Sequence, residues 1–197
     1  MIEISRENLI DQIKKLAKVK YAPIIGIDGM AAAGKSTLAE ELASLVGGCV
    51  VHMDDFFLPE EMRTAERLNE PGGNVHYERF AEEVADRLDK PVGERGCFEY
   101  GVFDCSAMKI SGCRPIDGRQ PVIVEGAYCL RPELRHLYDL KVFMTVGRHT
   151  QMNRIIARSG PDKAEVFRTR WIPMEEEYFG SLHVREAAGQ RHIRSHS

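Results

Sequence analysis

The run Ile24-Ile25-Gly26-Ile27-Asp28-Gly29-Met30-Ala31-Ala32-Ala33-Gly34-Lys35-Ser36-Thr37 decides how the rest of the chain is read. An apolar strand, Ile24 to Ile27, runs into a glycine-bounded loop and then into a helix start. Gly29, Gly34, Lys35 and Ser36 fit the spacing G-x-x-x-x-G-K-[ST]. Glycines let backbone N–H groups turn inward toward phosphate oxygens. The helix beginning near Lys35 aims its free N–H groups and its positive end at the same anion. Lys35 reaches the β- and γ-phosphates and Ser36 holds Mg2+, while Met30, Ala31, Ala32, Ala33 and Thr37 complete the cradle. Leu38, Leu42, Leu45 and Val46 continue it as an amphipathic helix, closed by Gly47-Gly48. The competing reading is a glycine-rich connector with no ligand.

With 197 residues, the chain reads as one domain, 1–197. A hydrophobic share of 43% and a charged share of 29% suit a soluble globular protein with a sizeable core. The net charge of −3 speaks against a general binder of nucleic acid or membrane surfaces. No apolar run has the length of a membrane span. The segment Met1 to Glu7 carries acids and lacks an apolar core, unlike a signal peptide. Five cysteines without a C-x-x-C pair point to reduced thiols and a cytoplasmic location. Self-association into a homo-oligomer is left open.

Ser5 to Lys18 reads as a helix with Ser5 as its cap. Cys49 to Met53 reads as a second buried strand, ending at Asp54-Asp55-Phe56-Phe57. In parallel α/β sheets ligands bind outside the carboxyl ends of strands. An acid there accepts a proton from an attacking hydroxyl or binds Mg2+ through water, or it merely caps the next helix. Asp54 is the stronger candidate and Asp55 the weaker. Pro59 to Leu68 reads as a helix opened by proline, and residues 69–74 as a loop. Tyr77 to Leu88 reads as a helix with His76 just before it, as cap or as ligand. Residues 96–118 read as a hairpin or flap, in which Tyr100, Phe103 and Asp104 contact substrate or form a packing cluster. Val122-Ile123-Val124 reads as a core strand ending at Glu125, a metal-side acid or an N-cap. Leu140 to Val146 reads as a fourth strand.

Thr150 to Arg158 and Asp162 to Phe179 read as helices, the second kinked at Pro173. Arg154 and Arg158 share a face. Arginines on a helix pair beside a phosphate site suit a mobile lid over residues 150–175, or else an ordinary solvated face. The tail from Glu186 to Ser197 reads as a frayed end.

Three elements together resemble the uridine kinase, phosphoribulokinase and nicotinamide riboside kinase group of P-loop kinases. They are the run from Ile24 to Thr37, Asp54-Asp55-Phe56-Phe57, and Val122-Ile123-Val124-Glu125-Gly126. The resemblance spans roughly residues 23–179, and Arg170 to Tyr178 also looks like the helix after the lid in the riboside kinases. It implies an α/β three-layer sandwich with a parallel central sheet and a helical lid. It implies ATP and Mg2+ as cofactors and a small nucleoside-like substrate as partner. Asp54 would be the general base, with Phe57 beside it on the substrate. Lys35 and Ser36 would serve phosphate and metal, Glu125 would lie on the metal side, and Arg154 and Arg158 in the lid. Tyr100 matches an aromatic that packs on the nucleobase. Two departures stand out: relatives place an Asp near His76 to bind ribose hydroxyls, and a final apolar strand that Val184 to Ile193 does not announce. Other acceptor alcohols, such as a pantothenate-like or sugar-phosphate substrate, remain as alternatives. So does a non-kinase ATPase or switch, although the N-K-x-D guanine signature is absent.

Overall fold

The computed structural model describes residues 4–189 and the backbone of His192–Ser195. Helix α1 (Arg6–Val19) starts where the Ser5 hydroxyl accepts the Asn8 N–H at 3.2 Å, and it buries Leu9 and Ile13. Strand β1 (Ile24–Gly29) feeds α2 (Lys35–Val46), which ends on Gly47 in the left-handed conformation. Strands β2 (Cys49–His52), β3 (Cys97–Asp104), β4 (Lys109–Asp117), β5 (Val122–Glu125), β6 (Leu140–Val146) and β7 (His192–Ser195) follow. Five of the strands form one sheet in the order β2-β5-β1-β6-β7, and every pairing in it is parallel. Strands β3 and β4 stand apart as an antiparallel hairpin.

Alternation along the strands explains the layers. Side chains of successive strand residues point to opposite faces. Ile25, Ile27 and Ile123 therefore pack with Leu9, Ile13, Leu38 and Leu42 of α1 and α2. Ile24, Val122 and Val124 pack the other way, against Phe80, Leu130, Tyr138 and Tyr178. The result is the expected α/β sandwich, with β1 at its centre and all six of its residues buried.

Four local expectations are corrected. Residues 59–68 do not form one helix. A short 3-10 turn (Glu60–Met62) is followed by a separate helix (Ala65–Asn69), because the Thr64 side chain accepts the Arg67 N–H and restarts the helix there. Strand β2 lies at the sheet edge, so only Val51 of its four residues is fully buried. Where a kink at Pro173 is expected, the chain passes through a π-helical turn, Phe167–Trp171, into the helix Ile172–Ser181. Proline lacks the N–H an uninterrupted α-helix needs there, and a π turn absorbs the mismatch. The final strand is present: β7 pairs with β6 from Phe143 to Val146, and a short helix (Val184–Ala187) precedes it, so the tail is not simply frayed.

The loop that follows β1 depends on one close approach. Gly29 has φ +135, and a Cβ there would lie 2.1 Å from the Met144 carbonyl oxygen on β6. Gly29→Ala is expected to lower stability by about 2 kcal/mol or more, through a conformation that L-residues avoid and a backbone clash. Urea unfolding checks this, and an unchanged midpoint contradicts it.

Candidate active site

Strands β1, β2 and β5 run parallel and deliver their carboxyl ends to one edge of the sheet. At the end of β1 the chain turns through Ala32 at φ 56 and Gly34 at φ 91, and α2 begins. No side chain caps α2, so its first-turn N–H groups are available to an anion. The Lys35 ammonium rests on the Gly29 and Met30 carbonyls at 2.8 and 3.0 Å, folded over the loop it would serve.

The loop is fastened from outside as well. Gln151 Nε2 donates to the Ala31 carbonyl at 3.1 Å, and Arg154 Nη1 donates to the Ala32 carbonyl at 3.1 Å. Both come from the helix Arg148–Ser159. From the helix Ile172–Ser181, Glu175 Oε2 accepts the Ala31 N–H at 2.9 Å. Beneath the loop lies Asp28, fully buried. Its carboxylate accepts the Gly29 N–H at 2.6 Å, the Leu130 N–H at 2.9 Å and the Tyr178 hydroxyl at 2.8 Å. Burial pushes its pKa up, and the Leu130 and Tyr178 donors and Lys35 pull against that.

The two acids after β2 are assigned different tasks by the fold. Asp54 faces a cavity of about 1030 Å3 that it shares with Lys35, Ser36, Phe57, Glu125 and Arg158. It is open to that cavity but closely surrounded by protein, and the lost solvation raises its pKa, with Lys35 opposing and Glu125 assisting. Asp55 turns away. Its carboxylate accepts the Tyr100 hydroxyl at 2.9 Å and pairs with Arg114 at 3.4 Å, tying the segment to the hairpin. Glu125 is 3% exposed and lies 2.6 Å from His52 Nδ1. That bond raises the His52 pKa and leaves the second carboxylate oxygen uncommitted to the histidine. The parallel register that sets His52 opposite Glu125 is the signal that could have identified the pair beforehand.

Three sequence-chosen residues lie off the cavity wall. His76 is the helix cap: its Nδ1 accepts the Arg79 N–H at 3.2 Å. Tyr100 is 1% exposed, stacked on Phe56 with ring centroids 5.1 Å apart, so no base can reach its face. Asp104 closes the hairpin turn, accepting from the Ser106 N–H and hydroxyl at 2.7 and 2.6 Å. The packing-cluster reading holds for Tyr100, and the turn explains Asp104. The lining residues that pattern reading overlooked are Asn74, Tyr128, Trp171 and Glu175. Asn74 is 4% exposed and its side chain hydrogen-bonds Tyr128, while its buried Oδ1 has no hydrogen-bond partner among the described residues. Tyr128 follows β5 with φ 79, a left-handed conformation that aspires to glycine.

No family model matches the chain. It is 24% identical over 152 residues to uridine-cytidine kinase C of Dictyostelium discoideum, covering 77% of this chain and 32% of that protein. It is 27% identical over 141 residues to uridine-cytidine kinase D of the same organism, covering 68% of this chain and 26% of that protein. The chain thus spans about a third or less of these curated relatives. Among solved structures it superimposes on a possible uridine kinase from Bacillus stearothermophilus with a TM-score of 0.65 and 20% identity, covering 94% of this chain and 98% of that one. The chain has the fold of the P-loop kinases and resembles uridine kinase-like proteins in sequence.

If His76 serves as a cap, His76→Ala costs about 1 kcal/mol of stability, the usual loss for a helix N-cap. Its effect on nucleotide affinity is then negligible. A calorimetric melt and a nucleotide titration check both halves; a weakened affinity with unchanged stability contradicts the cap assignment.

Proposed function

We propose that this chain is an ATP-dependent kinase that transfers the γ-phosphoryl group to a hydroxyl of a nucleoside-like small molecule carrying no phosphate. The observation that carries the reading is Asp54. It shares one cavity with the phosphate loop and stands at the carboxyl end of a strand in the same parallel sheet. A phosphate loop alone suits an ATPase or a switch as well. A carboxylate of raised pKa facing Lys35 across a cavity adds a proton acceptor for an attacking hydroxyl.

The residues present fit the cofactors. The uncapped start of α2, with Lys35, suits the phosphates of ATP. Ser36 and Glu125 line the cavity and would hold Mg2+, which takes only one or two protein ligands beside phosphates and water. When bound, Mg2+ offsets charge on the phosphates. The protein's own contribution then divides by residue. Asp54 orients the hydroxyl and accepts its proton. Lys35, Arg154 and Arg158 offset charge on the moving phosphoryl group. Phe57, Phe167 and Trp171 line the cavity and exclude water, with Phe57 and Trp171 at 6.5 Å between centroids.

Charge placement narrows the acceptor. The cations lining the cavity are Arg6, Lys35, Arg154 and Arg158, on α1, on α2 and on the helix Arg148–Ser159. Lys35 and Arg158 act on Asp54, and the described lining also includes Phe57, Asn74 and Tyr128. Among the described residues those four are the cations of the lining, and with Lys35, Arg154 and Arg158 given to the transferring phosphoryl group, only Arg6 is left for a second phosphate, which favours an acceptor without one.

A coupled ADP-release assay with Mg-ATP and a panel of uridine, cytidine, nicotinamide riboside, pantothenate and a pentose phosphate tests the reading. Acceptor-dependent release is expected with an unphosphorylated nucleoside. Asp54→Asn is expected to lower it by roughly a hundredfold or more, in the range general-base catalysis supplies, while ATP still binds. Because the Asp54 pKa is raised and the base must be ionised, kcat/KM is expected to fall as pH drops through that value. Release indifferent to every acceptor favours the ATPase or switch reading.

A further inference from the structure

Glu175 takes no part in the chemistry above, yet its carboxylate occupies a backbone N–H of the phosphate loop. It is 8% exposed, bonds the Ala31 N–H at 2.9 Å, and lines the cavity in which the phosphates would sit. One helical turn further on, Tyr178 bonds Asp28 at 2.8 Å beneath the same loop. Two polar groups of one helix therefore grip the loop from within the protein, and one of them carries a titratable charge toward an anion site.

We propose that Glu175 is a positioning residue for the phosphate loop, and that it takes up a proton from solvent when a nucleotide's phosphates bind. The proposal rests on the nucleotide-binding part of the kinase reading. Electrostatics supplies the driving force. Lys35 of α2 faces Glu175 with an opposite charge. Asp28 of β1 and Asp54 after β2 face it with like charge, and Tyr128 after β5 lies within its field. Arg154 of the helix Arg148–Ser159 donates to Ala32, the next residue of the loop. Lys35 sits on the loop carbonyls and favours the ionised carboxylate. Polyphosphate draws the ammonium to itself and brings several negative charges into a poorly solvated space. Both changes favour the neutral carboxyl. A protonated Glu175 keeps an oxygen for the Ala31 N–H, so the loop stays held while the local repulsion falls.

The starting point is poised for this exchange. Burial is the chief cause that lifts the Glu175 pKa to about 7, with Lys35 and the Ala31 N–H pulling it down. A carboxyl that titrates near neutrality is partly ionised at pH 7.5, so its protonation on binding absorbs a fraction of a proton per nucleotide. The sign follows directly. Binding that raises a pKa is strengthened where the proton is available, so affinity weakens as pH rises above 7.

The test is calorimetric titration of the intact chain with MgADP at pH 7.5, in buffers of different ionisation enthalpy, repeated with Glu175→Gln. Glutamine keeps an acceptor for Ala31 and cannot titrate. The intact chain is expected to take up a measurable fraction of a proton and to lose on the order of tenfold in affinity between pH ~6.5 and ~8.5. Glu175→Gln is expected to show neither effect beyond that of the nucleotide itself. No uptake by the intact chain, or equal uptake by both proteins, overturns the proposal and leaves the kinase reading in place. A failure to bind MgADP overturns both. If Glu175→Gln does not fold, infrared difference spectra of the intact chain decide the matter. A new protonated-carboxyl band on MgADP binding supports the proposal, and its absence overturns it.

Discussion

The buried carboxylate of Asp28 is the contact on which the site is assembled. It sits inside β1, the central strand, where a charge is costly unless hydrogen bonds satisfy it. Three donors do so, from three separate parts of the chain: the Gly29 N–H, the Leu130 N–H after β5, and the Tyr178 hydroxyl. Each donor sets a boundary of the cavity. Gly29 opens the phosphate loop, Leu130 closes the segment that begins at Glu125, and Tyr178 fixes the helix that presents Glu175. Removing the acid would leave three donors without an acceptor in an apolar layer.

The Asp54–Asp55 pair shows how one short segment can serve two surfaces. Side by side in sequence, the two carboxylates cannot both face the cavity from a 3-10 turn, Met53–Phe56. Asp54 takes the cavity. Asp55 takes Tyr100 and Arg114 of the hairpin, while its carbonyl accepts from Arg79. The hairpin is thus a support for the acid-bearing turn, and its aromatic Tyr100 acts from behind the site.

Local pattern made much of this legible. The glycine spacing, the apolar strands and the carboxylates after β2 and β5 are short-range features, and the structure brings Lys35, Ser36, Asp54 and Glu125 to one cavity. Residues whose partners are distant in sequence were misread or missed. Glu175 meets Ala31 across 144 positions, and no spacing rule reaches that far. Tyr100 stayed open between substrate contact and packing cluster because its aromatic, strand-borne character is the same whether the ring stacks on a base or on Phe56. Of the two readings of His76, the local one, a cap three residues before Arg79, is the one the structure displays. The last strand escaped notice because four residues without an apolar run can still complete a parallel edge through backbone hydrogen bonds.

The pairing pattern of the sheet also has a kinetic meaning. The centre of the sheet joins Ile24 to Val122 and Ile25 to Leu140, so β1 finds its neighbours about a hundred residues downstream. Closing such separations is slow, because chain entropy is lost before the contacts form. The phosphate loop lies 144 positions before Glu175, so its geometry waits on that residue and on Tyr178. A nucleotide would therefore find its cradle only in chains that have completed nearly the whole topology, so that ligand occupancy distinguishes finished molecules from collapsed, half-paired ones.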